Sequence, residues 1–176
     1  MNSRTIAFLS TTACVMVLAA CSPDGASDTH VTHLDGSRAS AYASTAELAS
    51  ASSAIAVVTA GAAHVERIKG VPFTTTQMKV LTLTSGELPR EFQLLQIGEP
   101  GSSDDMPIVA KGDTYLAFLT PFESANGIVP GVYVTVGAAA GLYHDGPTGY
   151  ARMDPLSPAL PSRISKAGLA ALSAGS

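Results

Sequence analysis

Two histidines lie three residues apart in a segment that also carries carboxylates, and side chains of these types can bind a transition metal. His30 and His33 are flanked by Asp28 and Asp35. A structural metal site needs a closed set of four ligands, held in place by a packed framework. The surrounding residues follow no hydrophobic period that would supply this framework. We therefore expect a solvated tether without a metal or another cofactor. Capture of a metal or small ligand by His30 and His33 is the alternative.

Acid–base chemistry could come from two further pairs, His144-Asp145 and Asp104-Asp105. Both stand beside Gly or Ser in predicted loops, where no burial or charge pairing would tune their pKa values. The sequence contains no nucleophile elbow, zinc-protease, redox-cysteine or phosphate-loop motif. We therefore expect solvated turn residues and no catalytic residue. A hydrolase built around His144 and Asp145 is the alternative, and it would need a nucleophile that the sequence does not display. His64 is interpreted as a half-exposed strand residue.

Three aromatic side chains lie close together in one apolar run. Tyr115, Phe118 and Phe122 could form a ligand platform on one face of a strand. The residues between them are also apolar, so packing in the core is the favoured interpretation.

The first residues are typical of a secretory signal. Arg4 gives a positive start, and an apolar run of about 15 residues, Ile6 to Ala20, follows without Asp, Glu or Lys before Asp24. A helix of this length is shorter than the roughly 20 residues needed to span a bilayer. We predict a signal peptide over residues 1–20 and no permanent transmembrane helix.

The end of the apolar run adds a more specific signal, Leu18-Ala19-Ala20-Cys21. This tetrapeptide resembles the lipobox of bacterial lipoproteins. The resemblance implies that the thiol of Cys21 takes a diacylglyceryl group, that the bond before Cys21 is cut, and that a fatty acid such as palmitate acylates the new amine. Two acyl chains suffice for stable anchoring. The implied location is extracytoplasmic, lipid-anchored to the cell membrane, with the outer membrane possible in a two-membrane bacterium. Ordinary secretion, with Cys21 an incidental thiol, is the alternative.

Composition limits the remainder of the chain. It has 176 residues, 46% hydrophobic and 14% charged, which fits one domain with tails. The net charge is -4 and the basic residues form no cluster, so we expect no nucleic-acid partner. The two cysteines are Cys14 and Cys21. Removal of residues 1–20 leaves no pair for an intramolecular disulfide.

Hydrophobic periods place the elements. We interpret residues 21–43 as the lipidated N-terminus and a flexible linker of about 25 Å. Ser44-Thr45-Ala46-Glu47 has the spacing of a helix capping box. Residues 44–153 then show five or six strand signals, with a bulge predicted at Gly61 and the most buried strand at Thr114 to Phe122. We expect the fifth strand to begin after Pro130-Gly131. Residues 154–176 are a Pro-rich segment followed by a short helix containing Ile164 and Leu172.

The order of these elements carries a second resemblance, given by four segments: Ala54 to Val58, Phe73 to Thr75, Val80 to Leu83 with the turn that follows it, and Gly112 to Leu119. This layout resembles bacterial envelope proteins with an OB-type barrel and is similar to the netrin-like module of tissue metalloproteinase inhibitors. The implied fold is mainly β, a small five- to six-stranded OB-like barrel with short terminal helices after a cleaved signal peptide and flexible tether.

The inhibitor activity does not follow from this likeness. That activity needs a free N-terminal cysteine fixed by disulfides, whereas Cys21 is predicted to be acylated and has no disulfide partner. We expect a non-catalytic binding or structural module of the cell envelope. Its partners are the membrane, through Cys21, and an envelope protein or small ligand.

Overall fold

The computed structural model describes residues 42–101 and 107–173, and this part of the chain is mainly β. In chain order, the short helix α1 (Thr45–Ser50) precedes the strands and the short helix α2 (Leu169–Ser173) follows them. One turn of 3-10 helix covers Ala138–Gly141. The strands are β1 (Ala54–Ile68), β2 (Val71–Gly86), β3 (Glu91–Ile97), β4 (Thr114–Ser124), β5 (Gly127–Thr135), β6 (Leu142–Gly146), β7 (Gly149–Arg152) and β8 (Arg163–Ile164).

The strands form one sheet that partly closes into a ring of five. Their order is β1-β2-β3-β5-β4-β6-β7-β8, and β1 also pairs with β4. The β3–β5 pair is parallel and the other pairs of described strands are antiparallel. Five or six strands were expected. The sheet has more because the last predicted strand signal folds as the β6–β7 hairpin and the Pro-rich segment adds β8.

The core consists of two clusters that share β4. Alternate residues of a strand point to opposite faces, and every residue from Tyr115 to Leu119 is buried, as the sequence predicted for this run. Tyr115, Ala117 and Leu119 belong to one cluster, which we call the ring cluster because most of its residues lie on ring strands. Leu116 and Phe118 belong to the other, the outer cluster, which packs α1 and β6 to β8 against the ring.

Two irregular positions of the sheet coincide with a glycine and a proline. The β1–β2 register shifts between Ala60 and Ala63, which confirms the bulge predicted at Gly61. A Cβ at that glycine would lie 3.0 Å from the backbone oxygen of Gln77. The predicted start of β5 was wrong, because the strand begins at Gly127 and contains Pro130. The β4–β5 register is irregular around this proline, so the missing N–H interrupts no regular ladder.

The Pro-rich segment is held to the sheet by Arg152. Its Nε donates to the backbone oxygen of Asp154 at 2.7 Å, and its Nη1 donates to the backbone oxygens of Ser157 and Leu160. The buried carboxylate of Asp154 accepts from the Leu156 N–H at 2.9 Å and from the hydroxyl of Ser157. These contacts form a clasp over residues 152–160. They explain why the chain returns to the sheet as β8, where a helix containing Ile164 was expected.

Candidate functional site

Several predicted site residues lie outside the part of the chain that the structure describes. They are the proposed lipidation residue Cys21, the histidines His30 and His33, and the pair Asp104-Asp105. The predictions for these residues therefore stay predictions.

The structure separates His144 from Asp145 and places both on a strand, so their assignment to a loop was wrong. β6 pairs with β4 and β7, which directs successive side chains to opposite faces. The His144 Nε2 lies 3.3 Å from Asp113 Oδ2, whereas Asp145 Oδ1 lies 3.2 Å from Lys166 Nζ. The acid–base pair of the described residues is therefore His144 with Asp113.

Asp113 is positioned by a tight turn that leads into β4. Gly112 has a φ of 91°, a conformation that suits glycine, and its N–H donates to the Ala60 oxygen at 2.8 Å. The Asp113 N–H donates to the Ala110 oxygen at 3.2 Å, and the Asp113 oxygen accepts from the Ala60 N–H at 3.0 Å. The backbone on both sides of the carboxylate is thus fixed to β1.

Tyr115 contacts both members of the Asp113–His144 pair. Its hydroxyl accepts from the Ala110 N–H at 2.7 Å and points its proton towards Asp113 Oδ2 at 3.5 Å. The Tyr115 and His144 rings meet edge to face, with centroids 5.3 Å apart. Burial raises the pKa of Tyr115, and the nearby carboxylate of Asp113 adds to this rise against the hydrogen bond from Ala110. Tyr115 therefore stays a neutral hydrogen-bonding group.

The Asp113–His144 pair can exchange a proton or receive a hydrogen bond from a bound molecule. The His144 side chain is 45% exposed and that of Asp113 46%, so both are open to solvent. Between residues 42 and 173, excluding 102–106, no group of three or more His, Cys, Asp or Glu side chains could hold a metal ion. The sequence interpretation missed Asp113, because it is brought to His144 by the β4–β6 register, which has no local signal.

The three aromatic residues of β4 do not form a shared platform. Tyr115 is 1% exposed and lies in the ring cluster, whereas Phe118 is fully buried in the outer cluster, where its ring centroid lies 6.1 Å from that of Tyr143. Phe122 is half-buried further along the strand. Core packing is therefore confirmed for Tyr115 and Phe118.

A second candidate surface is the outer face of β2 and β3. On β2, Thr74, Thr76 and Met78 are fully buried, so the residues between them point outwards. The register places each outward residue of β2 opposite one of β3. The resulting pairs are Phe73 with Ile97, Thr75 with Leu95, and Gln77 with Gln93. We call these six residues the β2–β3 face. None of them is charged, and the next outward pair, Lys79 with Glu91, borders the face with one charge of each sign.

Comparison with known proteins finds no family model, no curated protein and no solved structure that matches the chain. The helices of the described residues include none that is long and apolar enough to cross a bilayer.

Proposed function

We propose that this protein is a lipid-anchored, extracytoplasmic envelope protein whose β domain is a non-catalytic binding or structural module. The observation that carries the proposal is Leu18-Ala19-Ala20-Cys21 at the end of the apolar N-terminal run. A lipobox cysteine is the acceptor of the diacylglyceryl group, and acylation at this residue would attach the chain to a membrane surface.

We further propose that the ring is an OB-type barrel. The support is the ring order β1-β2-β3-β5-β4 with return to β1, in which the parallel β3–β5 pair is one of the closing contacts. A five-stranded, partly open ring is the architecture of this class. The bulge at Gly61 in the long strand β1 is a further feature expected of a strand that curves around a small barrel.

The β2–β3 face is the proposed binding surface. Barrels of this type bind ligands on the face of their second and third strands. Here that face presents the amides of Gln77 and Gln93 among half-buried apolar side chains. A face of apolar and amide groups, bordered by the oppositely charged pair Lys79 and Glu91, fits an envelope protein or an uncharged small ligand and has no net positive charge to attract the phosphates of a nucleic acid.

The anchor can be tested with two cysteine variants of the full chain in its bacterial host. Metabolic labelling with a palmitate analogue should label the wild-type protein and the Cys14→Ser variant, because Cys14 lies in the leader. The Cys21→Ser variant should remain unlabelled. Equal labelling of both variants would refute the proposal.

The binding surface can be tested by crosslinking in intact cells. A photo-crosslinking residue at Gln77 or Gln93 should capture a defined partner, while the same residue at Thr148, exposed on the β6–β7 turn, should not. Capture of the same partner from all three positions, or from Thr148 alone, would remove the β2–β3 face as the site.

A further inference from the structure

The pairing register defines two ends of the ring. Ala54, the first residue of β1, is paired with both Gly86 at the end of β2 and Leu119 of β4. β4 continues past Leu119 and turns back into β5 after Ser124. The start of β1, the end of β2 and the β4–β5 turn therefore lie at one end, which we call the α1 end because α1 leads into β1 there. The β1–β2 turn at Lys69 lies at the other, the hairpin end.

The α1 end carries exposed aliphatic side chains on two separate strands. Ile128, the second residue of β5, is 66% exposed. Leu81 and Leu83, near the end of β2, are 53% and 43% exposed. Large aliphatic side chains that gather at one end of a small domain mark a surface for contact with an apolar partner or a membrane.

We propose that the α1 end faces the membrane and that Ile128, Leu81 and Leu83 contact its lipid. The inference rests on the proposed anchor at Cys21. Only residues 22–41 separate this anchor from Tyr42, the first described residue, so the length of this segment limits how far Tyr42 can lie from the bilayer. Because the chain joins the ring at the α1 end, this end is the one that the tether holds closest to the bilayer.

Charge supports a contact made by apolar side chains. Glu47, Glu87, Arg90 and Glu123 are exposed charged residues near this end, and their charges sum to a negative value. Attraction to anionic lipid needs a basic cluster, so the contact would depend on the aliphatic groups and would form on uncharged phosphatidylcholine.

The hairpin end provides a matched control. Ile68 is 50% exposed there, similar to the residues of the α1 end. It stands between Arg67 and Lys69, and Arg67 Nη2 forms an ion pair with Glu99 at 2.8 Å. This end also lies furthest along β1 from the point where the chain enters the ring. Exposure alone therefore does not distinguish Ile68 from Ile128, whereas position relative to the tether does.

Fluorescent labelling of the processed full-length protein tests the orientation. Ile128→Cys and Ile68→Cys each give one reactive thiol, because Cys14 is lost with the leader and Cys21 is blocked by its acyl group. An environment-sensitive fluorophore is attached to each, and the proteins are reconstituted in phosphatidylcholine vesicles with a nitroxide on the upper part of the acyl chain. Leu83→Cys serves as a second reporter of the α1 end.

Co-flotation with the vesicles first reports the anchor. Among floating proteins, we expect a blue shift and nitroxide quenching at Ile128→Cys and Leu83→Cys, and neither change at Ile68→Cys. Equal quenching at both ends, or quenching at Ile68→Cys alone, would overturn the orientation while the anchor stood. A blue shift that disappears on dilution without nitroxide quenching would indicate a second copy of the chain and also overturn it. Failure of the wild-type protein to float would remove the anchor and the inference together.

Discussion

Replacement of Arg152 by methionine tests how the Pro-rich segment is held. The variant keeps an unbranched stem in place of the arginine methylenes but removes the three donated hydrogen bonds to the oxygens of Asp154, Ser157 and Leu160. Hydrogen bonds from a charged donor contribute about 1.5–3 kcal/mol each. The clasp is only partly buried, so water can satisfy some of the oxygens that are left.

We expect Arg152→Met to lower the free energy of unfolding by about 3 kcal/mol, less than the sum for three such hydrogen bonds because water replaces part of what is lost. The effect should reach the whole domain, because Leu160 and Ile164, at the far side of the clasp, belong to the outer cluster. A loss of this size is a large fraction of the roughly 5–15 kcal/mol that stabilises a domain.

The assay is urea unfolding of the detergent-solubilised mature protein, followed by circular dichroism because the chain contains no tryptophan. Arg163→Met is the matched control, since it removes an exposed guanidinium from β8 and should change stability by less than about 0.5 kcal/mol. If Arg152→Met were as stable as Arg163→Met, the clasp would not hold the segment in the way described.

Three further substitutions test other features. Tyr143→Phe should be neutral or stabilise by up to about 1 kcal/mol, because the buried phenol oxygen has no hydrogen-bond partner among the described residues. Burial also raises the pKa of Tyr143 to about 12, so wild-type stability should fall as pH rises from about 10 to 12, where the unfolded chain loses this proton first, and the variant should lose less. Gly149→Ala should destabilise by more than about 1 kcal/mol, because φ is 127° and the added Cβ would lie 2.5 Å from the Ile164 oxygen. His144→Ala should cost less than about 1 kcal/mol in urea unfolding, because its contact with Asp113 is half-exposed.

Each of these has a control and a contrary result. Gly131→Ala is the control for Gly149→Ala, because Gly131 also has a positive φ, 74°, but has open space around the added Cβ. An equal loss of stability in both variants would show that the contact with the Ile164 oxygen does not contribute. Tyr133→Phe should leave the alkaline fall in stability in place, and an equal flattening in both phenylalanine variants would exclude Tyr143 as its source. A loss well above 1 kcal/mol for His144→Ala would show that the pair is structural.

The parts of the fold that depend on local patterns could be predicted from the sequence. The capping-box spacing of Ser44 to Glu47 predicted the start of α1, and the continuous apolar run predicted the five successive buried residues of β4, Tyr115 to Leu119. The sequence interpretation did not separate β6 from β7, because it placed the turn at Pro147 inside one long strand segment. β8 was missed because its pairing depends on the side chain of Arg152. This side chain binds the backbone oxygens of Ser157 and Leu160, which are five and eight residues further along the chain.

The candidate site shows the same limit. Asp113 and His144 are 31 residues apart and meet through the pairing of two non-consecutive strands, which no local period encodes. Alternation along β2 predicts which of its residues point outwards. The residues of β3 that pair with them depend on the register, which the turn between the two strands sets.

The mass of the mature protein, purified from its own host, tests the central claim most directly. The account predicts a chain that begins at Cys21, lacks residues 1–20 and carries the added mass of a diacylglyceryl group on its N-terminal residue. A chain that retains residues 1–20, or that begins at Cys21 with an unmodified thiol, would contradict it.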